Sequence, residues 1–266
     1  MPFELLRIEN LLPAFALILA RVAGVVMAVP MLSSLQIPRE VKVGLVFTLS
    51  LMIFPIAAPH VPVGLSLGQS AAGMVGELMI GEILGLGAGV IFYAAELAGK
   101  FVSHQAGISI GTTYNPFFDE ESMVLDQLWF FTAVAIFLAL GGHVAVVKSL
   151  IYSIRDVPPM MATFDGSVAD FGVAIMQSTF QLGLRLACPA ILALLLSSLV
   201  MGFLTKTMPQ INILSIGFSL KILVAIAMVA VTMSTSEELL GNAMQSGFDQ
   251  LGILLDRMSV LVKHGG

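Results

Sequence analysis

Between Phe171 and Met201 the only charged side chain is Arg185, and a run of that length with a single charge leaves few folds open. A helix needs about 20 mostly apolar residues to cross about 30 Å of hydrocarbon. Five other stretches are comparable: about Leu11 to Leu32, Val41 to Ala58, Ala71 to Ala98, Leu128 to Val147 and Ile211 to Met233. None alternates apolar and polar residues as a barrel strand does. The pattern therefore predicts an all-α, membrane-associated protein with about six long hydrophobic helices. Turn-forming or polar segments separate them at 33–40, 59–68, 107–126, 155–170 and 205–210. Composition agrees, with 58% hydrophobic and 11% charged residues and a mean hydropathy of +0.98, far from the balance of a water-soluble domain.

Charge excludes further classes. A net charge of -5 offers no basic surface for nucleic acid, and the twelve Lys and Arg are too scattered to form a polybasic lipid-binding cluster. Cys188 is the single cysteine, so neither a disulfide framework nor a cysteine metal site is expected. Glu4, Arg7 and Glu9 precede the first apolar run and Arg21 interrupts it, unlike a cleavable signal peptide, and that segment is read as retained. Counting basic residues by side gives Arg7, Lys148, Arg155, Arg257 and Lys263 against Arg39, Lys42, Lys100 and Lys206. That bias leaves the topology open.

The tail from Ser236 to Lys263 has a different pattern. Leu240, Met244, Gly247, Leu251, Leu254, Met258 and Leu261 recur at helical spacing against Gln245, Asp249, Gln250, Asp256 and Arg257. This predicts an amphipathic helix that docks on a partner or an interface. Ser234 with Glu237, or Thr235 with Glu238, offers a capping box at its start, and the same hydroxyls would equally serve to end the preceding helix.

Arg21, Glu77, Glu82, Glu96, Arg185 and Lys221 fall inside the apolar stretches, where a central charge costs at least about 2.5 to 3.5 kcal/mol on insertion scales. Two readings stand: an ion or proton pathway through the chain, or charge pairing across helix contacts within the chain or between subunits. Gly81, Gly85 and Gly89, with Gly73, Gly76 and Gly87 nearby, form a small-xxx-small series that lets another backbone approach. Paired broken helices of an inverted-repeat transporter are missing. An assembly subunit is thus favoured, and a secondary transporter of a small solute using the intramembrane charges is the alternative.

Motifs for covalent chemistry are weak. Gly107-Ile108-Ser109-Ile110-Gly111 matches G-x-S-x-G, yet it opens a polar loop between helical stretches instead of joining a strand to a helix. His60, His104, His143 and His264 show no ligand spacing. Gly99-Lys100 lacks the remainder of a P-loop. No catalytic, cofactor-binding or metal residue is assigned, and the chain is not read as an enzyme. Asp119, Glu120, Glu121 and Asp126 form an acidic run, either a solvated face or a surface for a substrate. Tyr114, Phe117 and Phe118 lie beside Gly107 and Gly111, a combination suited to stoppering a narrow pore, since apolar constrictions close pores by dewetting.

These residues also carry a resemblance. Arg21, Pro30, Pro38, Gly76-Glu77, Gly81-Glu82, Gln105, Gly107 and Gly142-His143 occur in order, followed by Lys206, Pro209-Gln210, Asn212, Gly217 and Lys221. The chain thereby resembles the FliR family of flagellar export-gate proteins, whose injectisome relatives are the SctT or SpaR proteins. Gly141 departs from the pattern, because many relatives place an acidic or amide residue there.

The resemblance implies a single export-gate domain over 1–266, with 1–147 similar to FliP-like subunits and 148–266 to FliQ-like subunits plus the C-terminal helix. It implies one copy in a helical ring with FliP-like and FliQ-like partners, an FlhB-like export switch protein, membrane lipid and unfolded flagellar substrates. The location implied is the bacterial inner membrane at the flagellar basal body. The segment from Gly107 to Ser122 would plug the channel, with Phe117 and Phe118 as stoppers. Lys206 and Lys221 would make inter-subunit charge contacts.

Overall fold

A computed structural model describes residues 2–34, 37–62, 67–108, 124–162, 164–207 and 213–264. The described residues are helical apart from short connections. The helices are α1 (Pro2–Ala28), α2 (Pro30–Ser33), α3 (Arg39–Ala57), α4 (Leu67–Ala106), α5 (Val124–Ala139), α6 (Gly142–Asp156), α7 (Gly166–Thr207) and α8 (Ile213–His264). Five are long and apolar enough to cross a membrane, and the broken pair α5 and α6 would make a sixth if counted as one span.

Local chemistry sets several of the boundaries. Pro30 opens α2 at a position where its missing N–H costs nothing. The ammonium of Lys42 donates to the carbonyl of Ser33, 2.7 Å away, closing the end of α2. The apolar stretch expected over Leu128–Val147 is interrupted at Gly141, whose φ of +73° is left-handed. Glycine, asparagine and aspartate are the residues that adopt this conformation readily. Gly141 therefore takes the bend without steric cost. Asp165 caps α7: its Oδ1 accepts the backbone N–H of Ser167 at 3.0 Å and also the Ser167 hydroxyl.

The amphipathic tail is the continuation of α8, which has no break at Ser234. Its apolar residues Leu240, Met244, Leu251, Leu254 and Met258 are buried by this chain itself. The docking surface expected on a partner is to that extent internal.

Contacts divide the chain into two compact units whose segments alternate in sequence. The first comprises 1–90, 141–176 and 244–266, and the second 91–140 and 177–243. This division follows packing and is distinct from the parts 1–147 and 148–266. In the first unit Phe15 packs edge-on against Phe47 and Phe54 with ring centroids 5.6 and 5.7 Å apart. In the second, Phe92 contacts Phe137 and Phe130 at 5.0 and 5.9 Å, beside fully buried Trp129.

Candidate functional site

In the first unit α1 and α4 approach until their backbones touch. A Cβ placed on Gly81 would lie 2.1 Å from the carbonyl oxygen of Arg21 and 2.9 Å from Cα of Gly24. One on Gly24 would lie 2.3 Å from the carbonyl of Leu78. Gly85 continues the seam against Ala28 and Val25, and Gly73 begins it against Leu17. Gly89 is buried on the same helix. Farther along α4, Gly87 faces Gly247 of α8, where an added Cβ would be 2.5 Å from the Gly87 carbonyl. Small residues permit this proximity because only backbone has to fit.

One turn from the Gly24/Gly81 contact, the seam holds an ion pair. Arg21 Nε donates to Glu77 Oε2 at 2.5 Å, and both side chains are about 1% exposed. The remaining guanidinium groups reach the last turn of α6 and the residue after it: Nη1 donates to Ser153 Oγ at 3.3 Å, and Nη1 and Nη2 both donate to the Val157 carbonyl at 3.1 Å. Ser153 in turn donates to the Leu150 carbonyl at 2.8 Å. The second carboxylate oxygen, Glu77 Oε1, accepts the backbone N–H of Met160 at 3.0 Å. Burying a charge in an apolar interior is tolerable when it is paired and its remaining hydrogen-bonding sites are filled, and here the pair binds three segments together.

Met160 has a φ of +70°. Met161 donates its N–H to the Pro158 carbonyl at 3.1 Å, so Pro158–Met161 has the arrangement of a type II turn with Pro159 second and Met160 third. That third position normally goes to glycine. The strain is offset here by the bond to Glu77 and by the side chain, which packs with Phe54 and Met74 against Ala14, Leu17 and Val61. Gly24, Ser153 and Met160 were absent from the sequence-derived candidates. Pro158-Pro159 is the signal that marks the turn, and no local signal marks Ser153.

The second unit contains a smaller polar contact. Ser103 donates to Asp126 Oδ1 at 3.0 Å with both residues buried, and Gly99 lets the backbone of Asp126 approach, with Cα 2.5 Å from where its Cβ would be. The contact joins the last turns of α4 to the first turn of α5. Asp126 is therefore not a member of a solvated acidic face.

Other sequence-derived positions remain apart. Glu82, Arg185, Lys206 and His143 are exposed, and Lys221 is half-buried. Gly107 has φ +82° at the end of α4. Gly111, Tyr114, Phe117, Phe118, Pro209, Gln210 and Asn212 lie outside the described residues, as do Asp119, Glu120 and Glu121. Gly217 is buried with Met201 as its neighbour. Among the described residues no group of three or more His, Cys, Asp or Glu is placed to hold a metal ion.

Much of the apolar surface is left uncovered. Only 17% of the apolar window of Arg39–His60 and 22% of those of Gly166–Thr207 and Gly217–Val260 is buried by the chain, against 72% for Gly68–Ala106. Over residues 12–247 the sequence matches the profile of the bacterial export proteins, family 1. The chain belongs to this family.

Relatives within the export family include the flagellar biosynthetic protein FliR of Bacillus subtilis, 26% identical over 231 residues that cover 85% of this chain and 88% of the relative. FliR of Escherichia coli is 30% identical over 220 residues, 81% of this chain and 82% of the relative. The secretion system apparatus protein SsaT of Salmonella typhimurium is 26% identical over 219 residues, 81% and 85% of the two chains. The region matched to the export family takes in the whole Arg21–Glu77–Met160 network.

Proposed function

We propose that this chain is a core subunit of a flagellar type III export gate, located in the bacterial inner membrane at the base of the flagellum. The observation that carries the reading is the family match over 12–247 in a chain whose long helices α3, α7 and α8 leave most of their apolar surface uncovered. Such surfaces demand lipid or apolar partner subunits. FliP-like and FliQ-like subunits fill that role in this reading, with an FlhB-like switch protein beside them. Exposed Arg185 and Lys206 and half-buried Lys221 then supply charge contacts to neighbours.

In this function no covalent bond is made or broken; the protein shapes and closes a conduit for unfolded flagellar subunits. The segment from Gly107 to Ser122, with Tyr114, Phe117 and Phe118, closes the channel until substrate enters. Ser103 and Asp126 tie together the helices α4 and α5 that flank that segment in sequence. A small-solute transporter is less well supported, because both carboxylate oxygens of Glu77 are already committed to Arg21 and Met160.

The test is gentle detergent extraction through a tag on this chain, followed by the mass and composition of the complex. Two other small hydrophobic proteins at fixed ratio, with one copy of this chain, is the expected outcome. A folded monomer that moves solute in liposomes overturns the proposal. Deleting residues 107–122 should leave assembly intact and make the membrane leaky to small ions; a channel that stays tight eliminates the plug.

A further inference from the structure

Helix α8 runs without interruption from Ile213 to His264, yet its middle is written as a helix boundary. Four hydroxyls within five residues turn back onto the preceding turn. Thr232 donates to the carbonyls of Met228 and Val229 at 2.9 and 3.1 Å, Ser234 to Val231 at 2.7 Å, Thr235 to Thr232 at 3.1 Å and Ser236 to Met233 at 2.8 Å. Hydroxyls bonded to i−3 and i−4 carbonyls loosen and bend a helix, because they compete with the backbone N–H groups for the same acceptors.

The same residues fit the two ends that a break would create. An opened helix leaves carbonyls without partners on one side and N–H groups without partners on the other. On the carbonyl side the Thr232 hydroxyl already holds Met228 and Val229, whereas the donors on Val231, Thr232 and Met233 come from Ser234, Thr235 and Ser236, and a cap hydroxyl that turns forward gives up its carbonyl. On the other side Ser234 followed by Glu237, and Thr235 followed by Glu238, are capping boxes. The two glutamates would sit in the first turn, where the helix dipole favours negative charge. In the continuous helix neither box is used, since both cap hydroxyls point backward. A local signal that the surrounding structure overrides is expected at functional or strained sites.

We propose that α8 is a two-state element: continuous as described here, and in a second state broken between Thr232 and Thr235, with Ser234 or Thr235 capping the C-terminal arm. Both sides of the break keep a buried face, Ala225 and Val229 before it and Leu251, Leu254 and Met258 beyond it, and both expose apolar residues, Leu223, Ile226 and Val231 before it and Ile253 and Val260 beyond it. A break would let the exposed apolar residues before it turn toward whatever binds them.

The experiment uses spin labels at Ile226→Cys and Asn242→Cys, both exposed positions, in the full chain with Cys188→Ser, measured in the detergent-extracted assembly. A continuous helix at 1.5 Å per residue puts these backbones about 24 Å apart. Two distance populations are expected, one near that value and one shorter. Ser234→Ala, Thr235→Ala, Glu237→Gln and Glu238→Gln together keep good helix formers while removing both caps, and should reduce the shorter population at least fivefold. Thr235→Pro, tolerated only at the first helical position after a Ser234 cap, should leave the shorter population alone. A single long distance in the parent and a retained long distance with Thr235→Pro, or a short population that survives loss of both caps, overturns the proposal.

Discussion

Arg21 and Glu77 stand 56 residues apart in sequence and meet at 2.5 Å in a space that excludes water from both. Because Arg21 also holds the Val157 carbonyl and Glu77 the Met160 N–H, the pair joins α1, α4 and the connection between α6 and α7. Removing one partner strands the other. Arg21→Ala or Glu77→Ala should each cost about 3–5 kcal/mol, read as loss of thermal stability by circular dichroism in detergent. The double change Arg21→Met with Glu77→Leu should cost clearly less than the sum. If the two single losses simply add, the residues are not coupled.

Met160 offers a test of backbone strain. A β-branched residue at φ +70° is a steric outlier, so Met160→Ile should destabilise by about 1–3 kcal/mol. Met160→Asn suits the left-handed backbone and should restore part of that loss, despite its poorer fit against Leu17 and Val61. Ranking Ile below Asn in thermal melts checks the prediction, and the opposite order would show that packing outweighs strain.

Glycines on different faces should respond in opposite ways. Gly81→Ala drives a methyl group against the Arg21 carbonyl, a backbone atom that cannot rotate away; the cost should reach about 1–3 kcal/mol or more. At Gly44 and Gly202 an added Cβ meets nothing within 4 Å, and alanine there should gain about 0.5–1 kcal/mol through helix propensity. Melting of the isolated chain measures both. Loss of co-extraction with Gly44→Ala or Gly202→Ala, in a chain that remains stable, would locate a partner on that face.

The start of α7 should depend on pH. The hydroxyl and backbone N–H of Ser167 hold the Asp165 carboxyl below its ordinary value, with a smaller contribution from Arg257. A depressed folded-state value means that the cap's contribution is present above the usual aspartate range near about pH 4 and disappears as pH falls through the lower folded value. Amide exchange at Ser167, corrected for its intrinsic pH dependence, should lose protection in acid. Asp165→Asn should keep a cap and remove this response.

How much of this was legible beforehand differs by residue. The run around Arg185 announced long helices because solvent class is encoded in composition over windows of about 20 residues. Gly81 and Gly85 were recognisable as packing positions from spacing along one helix, whereas the matching row Ala16, Ala20, Gly24 and Ala28 on the opposing helix went unread, because three alanines pass as ordinary apolar residues. Arg21 and Glu77 could be marked as charges needing partners, but their mutual choice depends on a crossing between distant segments. Met160 was invisible because its φ is imposed by Pro159 before it and by a carboxylate 83 residues away, against the preference of its own side chain. Ser234 with Glu237, or Thr235 with Glu238, suggested a helix start, or the end of the preceding helix, where the helix in fact continues. Tyr114, Phe117 and Phe118 owe their assignment to resemblance and composition alone.

The Gly24/Gly81 contact also constrains how this protein can change over generations. Each glycine sees the other helix's backbone, not a side chain that a second mutation could shorten. No single exchange elsewhere makes room for a methyl group at either position, and substituting both only doubles the clash. Sequence drift in this family should therefore pass around the two sites together, with inherited change at one becoming viable only after the helices themselves have moved apart.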